Sequence, residues 1–270
     1  MRTSFLTAVL LFFCMAFHSC RKNTPPASSS GSYVPFDGKV VISMFETLDS
    51  TGAGRHLQLK CHTTQIFGCC NFSLIYSISQ TGNTFTIHFD NVYEPEICLT
   101  STGPATATID LGVLTNNNYN IYVTNGGLNT SVLNVSKQSY IISGITGPVV
   151  SYTIDTLMRV PDNTIWGEVC YDSSGVYPAL LSSFMDSLNA YGVETVSFAP
   201  GDYQYFKLLG SNTFPHDGGC SWSKQFIYRY TGDMAKLKSL VWNYWGLSNK
   251  TFYIGIHNDK GYYCMSWYQH

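Results

Sequence analysis

Between residues 37 and 158 the chain is a succession of short segments in which apolar and polar residues alternate, and this pattern limits the fold most strongly. The alternation is clear in "FTIHF", residues 85–89, and in "YNIYV", residues 119–123. Alternation with a period of two is typical of strands that bury one face. Turn triplets such as "TGN", residues 81–83, separate the segments, and no helical period competes. The pattern predicts an antiparallel β-sandwich over residues 37–158.

One stretch inside this half narrows the type of sandwich. In "LGVLTNNNYNIYV", Leu114, Asn117 and Tyr119 follow the spacing L-x-x-G-x-Y, with Asn in the glycine position. This resembles the tyrosine corner of secreted immunoglobulin-like domains. The resemblance implies an immunoglobulin-like fold, with the Tyr119 hydroxyl hydrogen-bonded to nearby backbone. The longer segment "PEICLTSTGPATATIDLGVL" resembles a stretch of uncharacterised Bacteroidota lipoproteins, which implies a location and a fold but no chemistry.

Residues 159–270 show a different period. "YPALLSSFMDSLNAYG", residues 177–192, and "DMAKLKSLVWNYWG", residues 233–246, carry apolar stripes at helical spacing. Strands are predicted before, between and after these helices, including one over residues 193–209, for which a break at Pro200–Gly201 is the alternative. The closing segment is either one strand or a hairpin that turns at "NDKG". The order β-α-β-β-α-β predicts a ferredoxin-like α+β domain with both helices on one face of the sheet.

The N-terminus has the layout of an export signal. Residues 1–20 place one Arg before an apolar run and end in "SC", which resembles a Bacteroidota lipoprotein signal. The resemblance implies that Cys20 becomes the diacylated mature N-terminus and that the protein is held at the cell envelope, with the outer membrane as the expected location. Ordinary signal-peptidase cleavage is the alternative. Residues 21–36, rich in Ser, Pro and Gly, are predicted to be a flexible tether.

Composition excludes several classes of partner. Charged residues make up 12% of the chain and the net charge is −2, which gives no basic surface for nucleic acid. No second apolar run has the length of a membrane-spanning helix. The expected membrane contact is therefore the N-terminal lipid.

Cysteine usage agrees with export to an oxidising compartment. Seven cysteines beyond the signal are disulfide candidates: Cys61, Cys69, Cys70, Cys98, Cys170, Cys220 and Cys264. None shows C-x-x-C spacing, so a zinc ribbon or a thioredoxin-type site is not predicted. In "GCC", residues 68–70, one cysteine is expected to bridge Cys98 and the other Cys61, with a vicinal redox pair as the alternative.

The loop "TFPHDGGCSW", residues 213–222, brings His216 and Asp217 close to Cys220. It is interpreted as a disulfide-bonded or inert loop, with a ligand-contact loop and a Cys/His nucleophile as alternatives. A cysteine nucleophile needs a base within reach and an activating environment such as a helix N-terminus, and Cys220 precedes a strand. No catalytic residue, metal or cofactor is therefore predicted.

All five tryptophans fall after residue 165 and are accompanied by many tyrosines. The binding candidates are Trp222, Trp242, Tyr228 and Tyr230, with His216 and Asp217. Aromatic side chains on an open sheet face predict a non-catalytic binding module for a glycan or a protein, unless that face packs on the other domain. The alternatives are a structural or inhibitory accessory protein of the envelope and, third, a Cys/His hydrolase.

Overall fold

The computed structural model describes residues 19–23, 31–48, 51, 54–171, 177–210 and 222–266. The strands of the first part of the chain are β1 Ser19–Lys22, β2 Ser32–Val34, β3 Val40–Glu46, β4 Leu57–Phe67, β5 Ser73–Thr81, β6 Thr84–Glu94, β7 Gly103–Gly112, β8 Asn117–Thr124, β9 Leu128–Val135, β10 Ser139–Thr146, β11 Val150–Tyr152 and β12 Thr156–Met158. The later elements are β13 Thr164–Tyr171, α1 Tyr177–Ala190, β14 Gly201–Asp202, β15 Lys207–Leu208, β16 Trp222–Arg229, α2 Met234–Leu247, β17 Tyr253–Asn258 and β18 Tyr263–Met265.

The chain divides into two compact units. The first comprises Met1–Phe45 and Leu57–Thr156, and the second comprises Glu46–His56 and Leu157–His270. A β-rich fold is confirmed, with two α-helices in the described part of the chain. Neither described helix is long and apolar enough to cross a membrane.

The first unit is built on a curled, mixed sheet. Its strands follow the order β11-β3-β4-β7-β5-β6-β8-β9-β10, and β1 and β2 pair with β5 and β6. The pairs β11–β3, β5–β7 and β6–β8 are parallel, whereas β4–β7, β5–β6, β8–β9 and β9–β10 are antiparallel. Side chains alternate between buried and exposed along β7, as period-two patterning requires. One face of β7 therefore supplies the core, and the other face is turned toward solvent.

The predicted hydrogen bond of Tyr119 is confirmed. This tyrosine lies in β8 with its ring buried, and its hydroxyl donates to the carbonyl oxygen of Thr115 at 3.3 Å. The Oγ1 of Thr115 lies 3.0 Å from the same hydroxyl. The polar end of a buried ring is thus satisfied by the turn that opens the strand.

Two strands occur in and beside the segment that was predicted to be a flexible tether. β1 pairs with β5, and β2 pairs with β6 through Tyr33 and Tyr93. The hydroxyl of Tyr93 also accepts a hydrogen bond from the amide of Gly31 at 3.1 Å. Residues 24–30 lie outside the described part of the chain.

The second unit contains a four-stranded sheet in the order β16-β13-β17-β18, in which every neighbouring pair is antiparallel. Both helices pack on one face of this sheet. The core between them includes Ile165 and Val169 of β13, Phe184 of α1, and Leu237 and Val241 of α2. The closing segment forms the predicted hairpin, with β17 and β18 on either side of the turn.

Both helices follow their predicted patterns. In α1, Phe184 and Leu188 are buried, and Gly192 after its C-terminus has a φ of +85°, which suits glycine at this position. In α2 the carboxylate of Asp233 caps the N-terminus by accepting from the amide of Ala235 at 2.8 Å.

The strand predicted over residues 193–209 does not join the sheet. The segment forms one bridge between Glu194 and Arg229, and then the two-residue strands β14 and β15 pair with each other. Gly201 has a φ of +157°, and a Cβ there would come within 2.5 Å of Met158. Gln204 lies between β14 and β15 with a φ of +69°. These two conformations turn the chain back on itself, so the second of the four predicted ferredoxin-like strands is replaced by a small hairpin.

Candidate functional site

The face of the second unit's sheet that lies opposite the helices carries a group of aromatic and polar side chains. Strand alternation places them there, since residues that pair across neighbouring strands point to the same face. We call this surface the open face. Its members are Trp166, Glu168 and Cys170 of β13, Ser223, Gln225 and Ile227 of β16, Tyr253, Gly255 and His257 of β17, and Tyr263 and Met265 of β18.

Four rings form a continuous line across the open face. Tyr205 lies against Trp166 with ring centroids 5.7 Å apart. Trp166 stacks on His257 at 5.8 Å, and His257 stacks on Tyr263 at 6.2 Å. We call these residues the aromatic row. Its centre is buried at Trp166, whereas Tyr263 at its end is 48% exposed, so the row presents a ring to solvent.

The small hairpin of β14 and β15 supports one end of the row. Phe206 packs on Trp166 with centroids 5.3 Å apart, and Tyr203 stacks on Phe206 at 4.8 Å. The hydroxyl of Tyr205 donates to the carbonyl oxygen of Glu46 at 2.7 Å. The ring of Tyr205 is therefore held at both its face and its tip, which gives the row a fixed geometry.

A gap in the open face lies beside the aromatic row. Gly255 pairs with Glu168 on one side and with Met265 on the other. Gly255 itself is buried, and a Cβ there would meet no described atom within 4 Å. The next residue on this face, Tyr253, is 44% exposed and forms the far wall. A glycine inside a strand often marks a place where a ligand approaches the backbone, and we call this place the Gly255 notch.

The charge of the notch depends on two ionisable side chains, His257 and Glu168. Burial lowers the pKa of His257, so its imidazole is neutral at neutral pH. Glu168, the cross-strand neighbour of Gly255, is half-buried and supplies a carboxylate. Gln225, which pairs with Glu168, supplies an amide. The notch thus brings aromatic rings, a carboxylate that accepts hydrogen bonds and an amide together on one face.

A charge cluster that is buried except at Asp162 occupies another part of the same unit. Arg55 donates to Asp259 Oδ2 and to Asp162 Oδ1, each at 3.2 Å, and to the carbonyl oxygen of Val160. The Nε of Arg159 donates to Glu46 Oε1 at 2.8 Å. The charges of the cluster are paired with each other, which is the arrangement that buried ions require for stability. We therefore assign it a structural role.

Most of the binding candidates taken from sequence lie away from the open face. Tyr230 is buried, with its hydroxyl donating to the carbonyl oxygen of Asp233 at 3.0 Å, and Tyr228 packs against the core on the helix side. Trp242 is partly buried against Trp245, with ring centroids 5.0 Å apart. Trp222 is 54% exposed, but it begins β16 in the alternation that puts Phe226 under the helices.

The loop candidates His216, Asp217 and Cys220 lie outside the described residues. No group of three or more His, Cys, Asp or Glu side chains in the described ranges is placed to hold a metal ion.

The cysteines divide into bonded and free residues. Cys69 and Cys98 form a disulfide with Cα atoms 5.5 Å apart, and Cys170 is also disulfide-bonded. Cys61, Cys70 and Cys264 are thiols, so the predicted pairing of Cys61 within the first unit is not seen.

The reason for the free thiols is their placement. Cys61 and Cys264 project into packed apolar surroundings, and burial raises the pKa of Cys61 to about 12 and that of Cys264 to about 11. The side chain of Cys70 is exposed.

Sequence inspection by residue type missed Tyr253, Gly255, His257 and Glu168. The signal that identifies three of them is the alternation in "YIGIHN", residues 253–258, where Ile254 and Ile256 belong to the core. The remaining side chains of that strand must then share the opposite face. Comparison of the chain with protein-family models, with curated proteins and with solved structures found no match.

Proposed function

We propose that this protein is a lipid-anchored component of the cell envelope that binds a neutral polysaccharide on the open face of its second unit. The Gly255 notch carries the proposal. It combines an exposed tyrosine on each side, a buried glycine at its floor whose Cβ position is clear of described atoms, and a carboxylate at its edge. Pyranose rings stack their C–H faces on aromatic rings and offer hydroxyl groups to carboxylates and amides, which fits this combination.

The charge of the notch favours a neutral ligand. Glu168 would repel an anionic sugar or an acidic peptide, and the neutral His257 provides no compensating cation. A protein ligand is the second candidate from the sequence. The aromatic row supports a sugar instead, since its rings are held in place by stacking on each other and do not form a broad apolar patch.

Attachment by the lipid on Cys20 is part of the same proposal. It is supported by the apolar run and the "SC" ending of the first 20 residues, which resemble Bacteroidota lipoprotein signals. We also propose an immunoglobulin-like class for the first unit, supported by the Tyr119 corner. The ferredoxin-like class of the second unit is supported by two helices on one face of a four-stranded sheet, although its second strand is replaced by a hairpin.

The other hypotheses from the sequence give different results in the same experiment. A structural or inhibitory accessory protein would bind no glycan and would crosslink to one fixed partner. A Cys/His hydrolase would change a substrate and would depend on Cys220. We favour binding because the open face holds a surface suited to a ligand.

A retention assay tests the proposal. The chain without its signal is mixed with insoluble chitin, starch and xylan and with anionic pectate, and the bound fraction is measured. We expect retention on at least one neutral polysaccharide, weakened about tenfold by Tyr263→Ala, which removes a stacking ring. Tyr191→Ala, which removes an exposed ring near the end of α1, should leave retention unchanged. Absence of retention on every neutral polysaccharide, or equal loss in both variants, would contradict the proposal.

A further inference from the structure

The residues that follow the proposed lipidation site form an edge strand of the first unit. β1 contains Cys20 and runs antiparallel to β5, with Cys20 opposite Ser79, Arg21 opposite Ile78 and Lys22 opposite Ser77. The sequence predicts a flexible tether from residue 21 onward. In the structure, backbone pairing with the sheet is already present at Cys20 itself.

Side chains hold the end of this strand in place. The backbone amide of Asn23 donates to the carbonyl oxygen of Tyr76 at 3.2 Å. The backbone amide of Tyr76 in turn donates to the side-chain oxygen Oδ1 of Asn23 at 2.6 Å. Asn23 Nδ2 also donates to the carbonyl oxygen of Leu74 at 3.1 Å. The Nζ of Lys22 lies 3.2 Å from Asp90 Oδ2. Asn23 therefore clamps the strand with three hydrogen bonds to the backbone of β5.

The sheet has a physical need for this strand. β7 pairs with β5 at Ser73, opposite Thr106, and the remaining partner of β5 on that edge is β1, which pairs with residues 77–80. Without β1, this part of β5 would expose unpaired amides and carbonyls, which is a site of unwanted strand pairing. β1 thus completes the sheet as well as leading to the N-terminus.

We propose that the lipid anchor on Cys20 is attached rigidly to the first unit, with no flexible segment between the lipid and the fold. This inference rests on the lipidation of Cys20 that is part of the proposed function. The direction of β1 places Cys20 beside the turn at Gly82 and Asn83 that joins β5 to β6. The unit therefore meets the bilayer by this end of its sheet.

The same end carries a polar concavity. The backbone amide of Asn120 donates to the carbonyl oxygen of Asn83 at 2.9 Å. This hydrogen bond places the first half of β8 next to that turn. A concavity of about 430 Å³ is found there, lined by Asn116, Asn117, Asn118, Asn134, Val135, Ser136, Lys137 and Gln138. In the proposed arrangement these amides and Lys137 lie on the side of the lipid head groups.

Trypsin provides a direct test, because Arg21 and Lys22 are the only sites for this protease between Cys20 and Lys39. The full chain is produced in a bacterium that processes lipoproteins, its mass is measured to confirm the lipid, and it is placed in phosphatidylcholine vesicles. Trypsin is added, and protein that no longer floats with the vesicles is identified by its new N-terminus. A rigid β1 predicts slow release of fragments that begin at Lys22 or Asn23.

Three variants give reference values for the rate of release by trypsin. Insertion of Gly-Ser-Lys-Gly-Ser between Cys20 and Arg21 supplies a flexible site at the membrane, and it should be released at least about tenfold faster than the natural chain. Asn23→Ala removes two of the clamping hydrogen bonds and should also speed release, by about fivefold to tenfold. Asn125→Ala removes a side-chain hydrogen bond to the carbonyl oxygen of Gly38 at the end of β8 opposite the concavity, and it should release at the natural rate.

The possible results separate the two proposals. A lipidated natural chain that is released as fast as the insertion variant overturns the rigid anchor, while the lipid-anchored part of the proposed function stands. A mature chain without lipid overturns both. Slow release that Asn23→Ala accelerates and Asn125→Ala does not supports the rigid anchor.

Discussion

The imidazole of His257 lies flat on the indole of Trp166, with ring centroids 5.8 Å apart and planes 12° apart. This contact joins two neighbouring strands on the open face and forms the centre of the aromatic row. It also removes much of the water around the imidazole, and this desolvation lowers the pKa of His257.

The lowered pKa predicts that the second unit loses stability as the pH falls. The unfolded chain takes up a proton at His257 near the ordinary value of 6.5, whereas the folded chain resists it. Below that pH the unfolded state binds more protons, so the free energy of unfolding decreases from pH 7 until the folded-state pKa is passed. His257→Gln should flatten this decrease between pH 7 and pH 5. A natural chain as stable at pH 5 as at pH 7 would contradict the assignment.

Tryptophan fluorescence is a suitable measure for this prediction. All five tryptophans lie in the second unit, so their emission during denaturant unfolding reports on that unit. Circular dichroism, in contrast, reports on both units.

The charge cluster predicts a large effect of Arg55. Arg55→Met keeps the apolar stem but leaves the buried Asp259 with an uncompensated charge, while Glu46 keeps its ion pair with Arg159. Loss of one partner from a buried ion pair costs about 3–5 kcal/mol. The midpoint of unfolding, followed by tryptophan fluorescence, should fall accordingly. Arg229→Met, at an exposed position of β16, should change it little. Equal effects of the two variants would show that the pairing contributes nothing.

The three thiols predict selective alkylation. At pH 8 iodoacetamide should modify Cys70, whose side chain is exposed, and leave Cys61 and Cys264 untouched. Burial raises the pKa of both buried thiols, so their thiolate fraction at pH 8 is on the order of one in a thousand or less. After denaturation in guanidinium, all three should react, as measured by peptide mass. Native labelling of Cys264 at the rate of Cys70 would contradict the burial of that residue.

The tyrosine corner predicts a smaller effect in the first unit. Tyr119→Phe removes the hydrogen bond to Thr115 and should cost about 1 kcal/mol of stability. Tyr122→Phe, at an exposed ring of the same strand, serves as the matched control. The measurement is unfolding by circular dichroism. The part of that transition that is not seen by tryptophan fluorescence belongs to the first unit. If both variants lose the same stability, the corner has no special role.

The elements that could be predicted from sequence are those whose local signals agree with their packing. The stripe containing Phe184 and Leu188 and the cap at Asp233 define the helices before any tertiary contact is considered. The alternation around Tyr119 likewise predicts β8. In each case the residues that define the helix or strand lie inside it or a few positions away in the sequence.

The segment 193–209 could not be predicted in this way. Its β-branched and aromatic residues favour a strand, but Gly201 approaches Met158 closely and Gln204 adopts a positive φ. The backbone is therefore turned by contacts distant in sequence, which override local propensity.

The prediction of the candidate site from sequence was limited for the same reason, since the site depends on contacts between residues distant in sequence. Tyr228 and Tyr230 have the residue type of a binding surface, yet they share the alternation of Phe226, which the helices cover. The face of a sheet that remains open depends on where the helices pack, and the sequence of one strand does not contain that information.

The most direct test of the central claim is the Gly255→Val variant in the polysaccharide retention assay, with thermal unfolding measured in parallel. A Cβ at Gly255 meets no described atom, and valine suits a strand better than glycine. We predict that the variant keeps or gains thermal stability while losing retention, because its side chain fills the notch. Undiminished retention by a folded Gly255→Val protein would contradict ligand binding at this place.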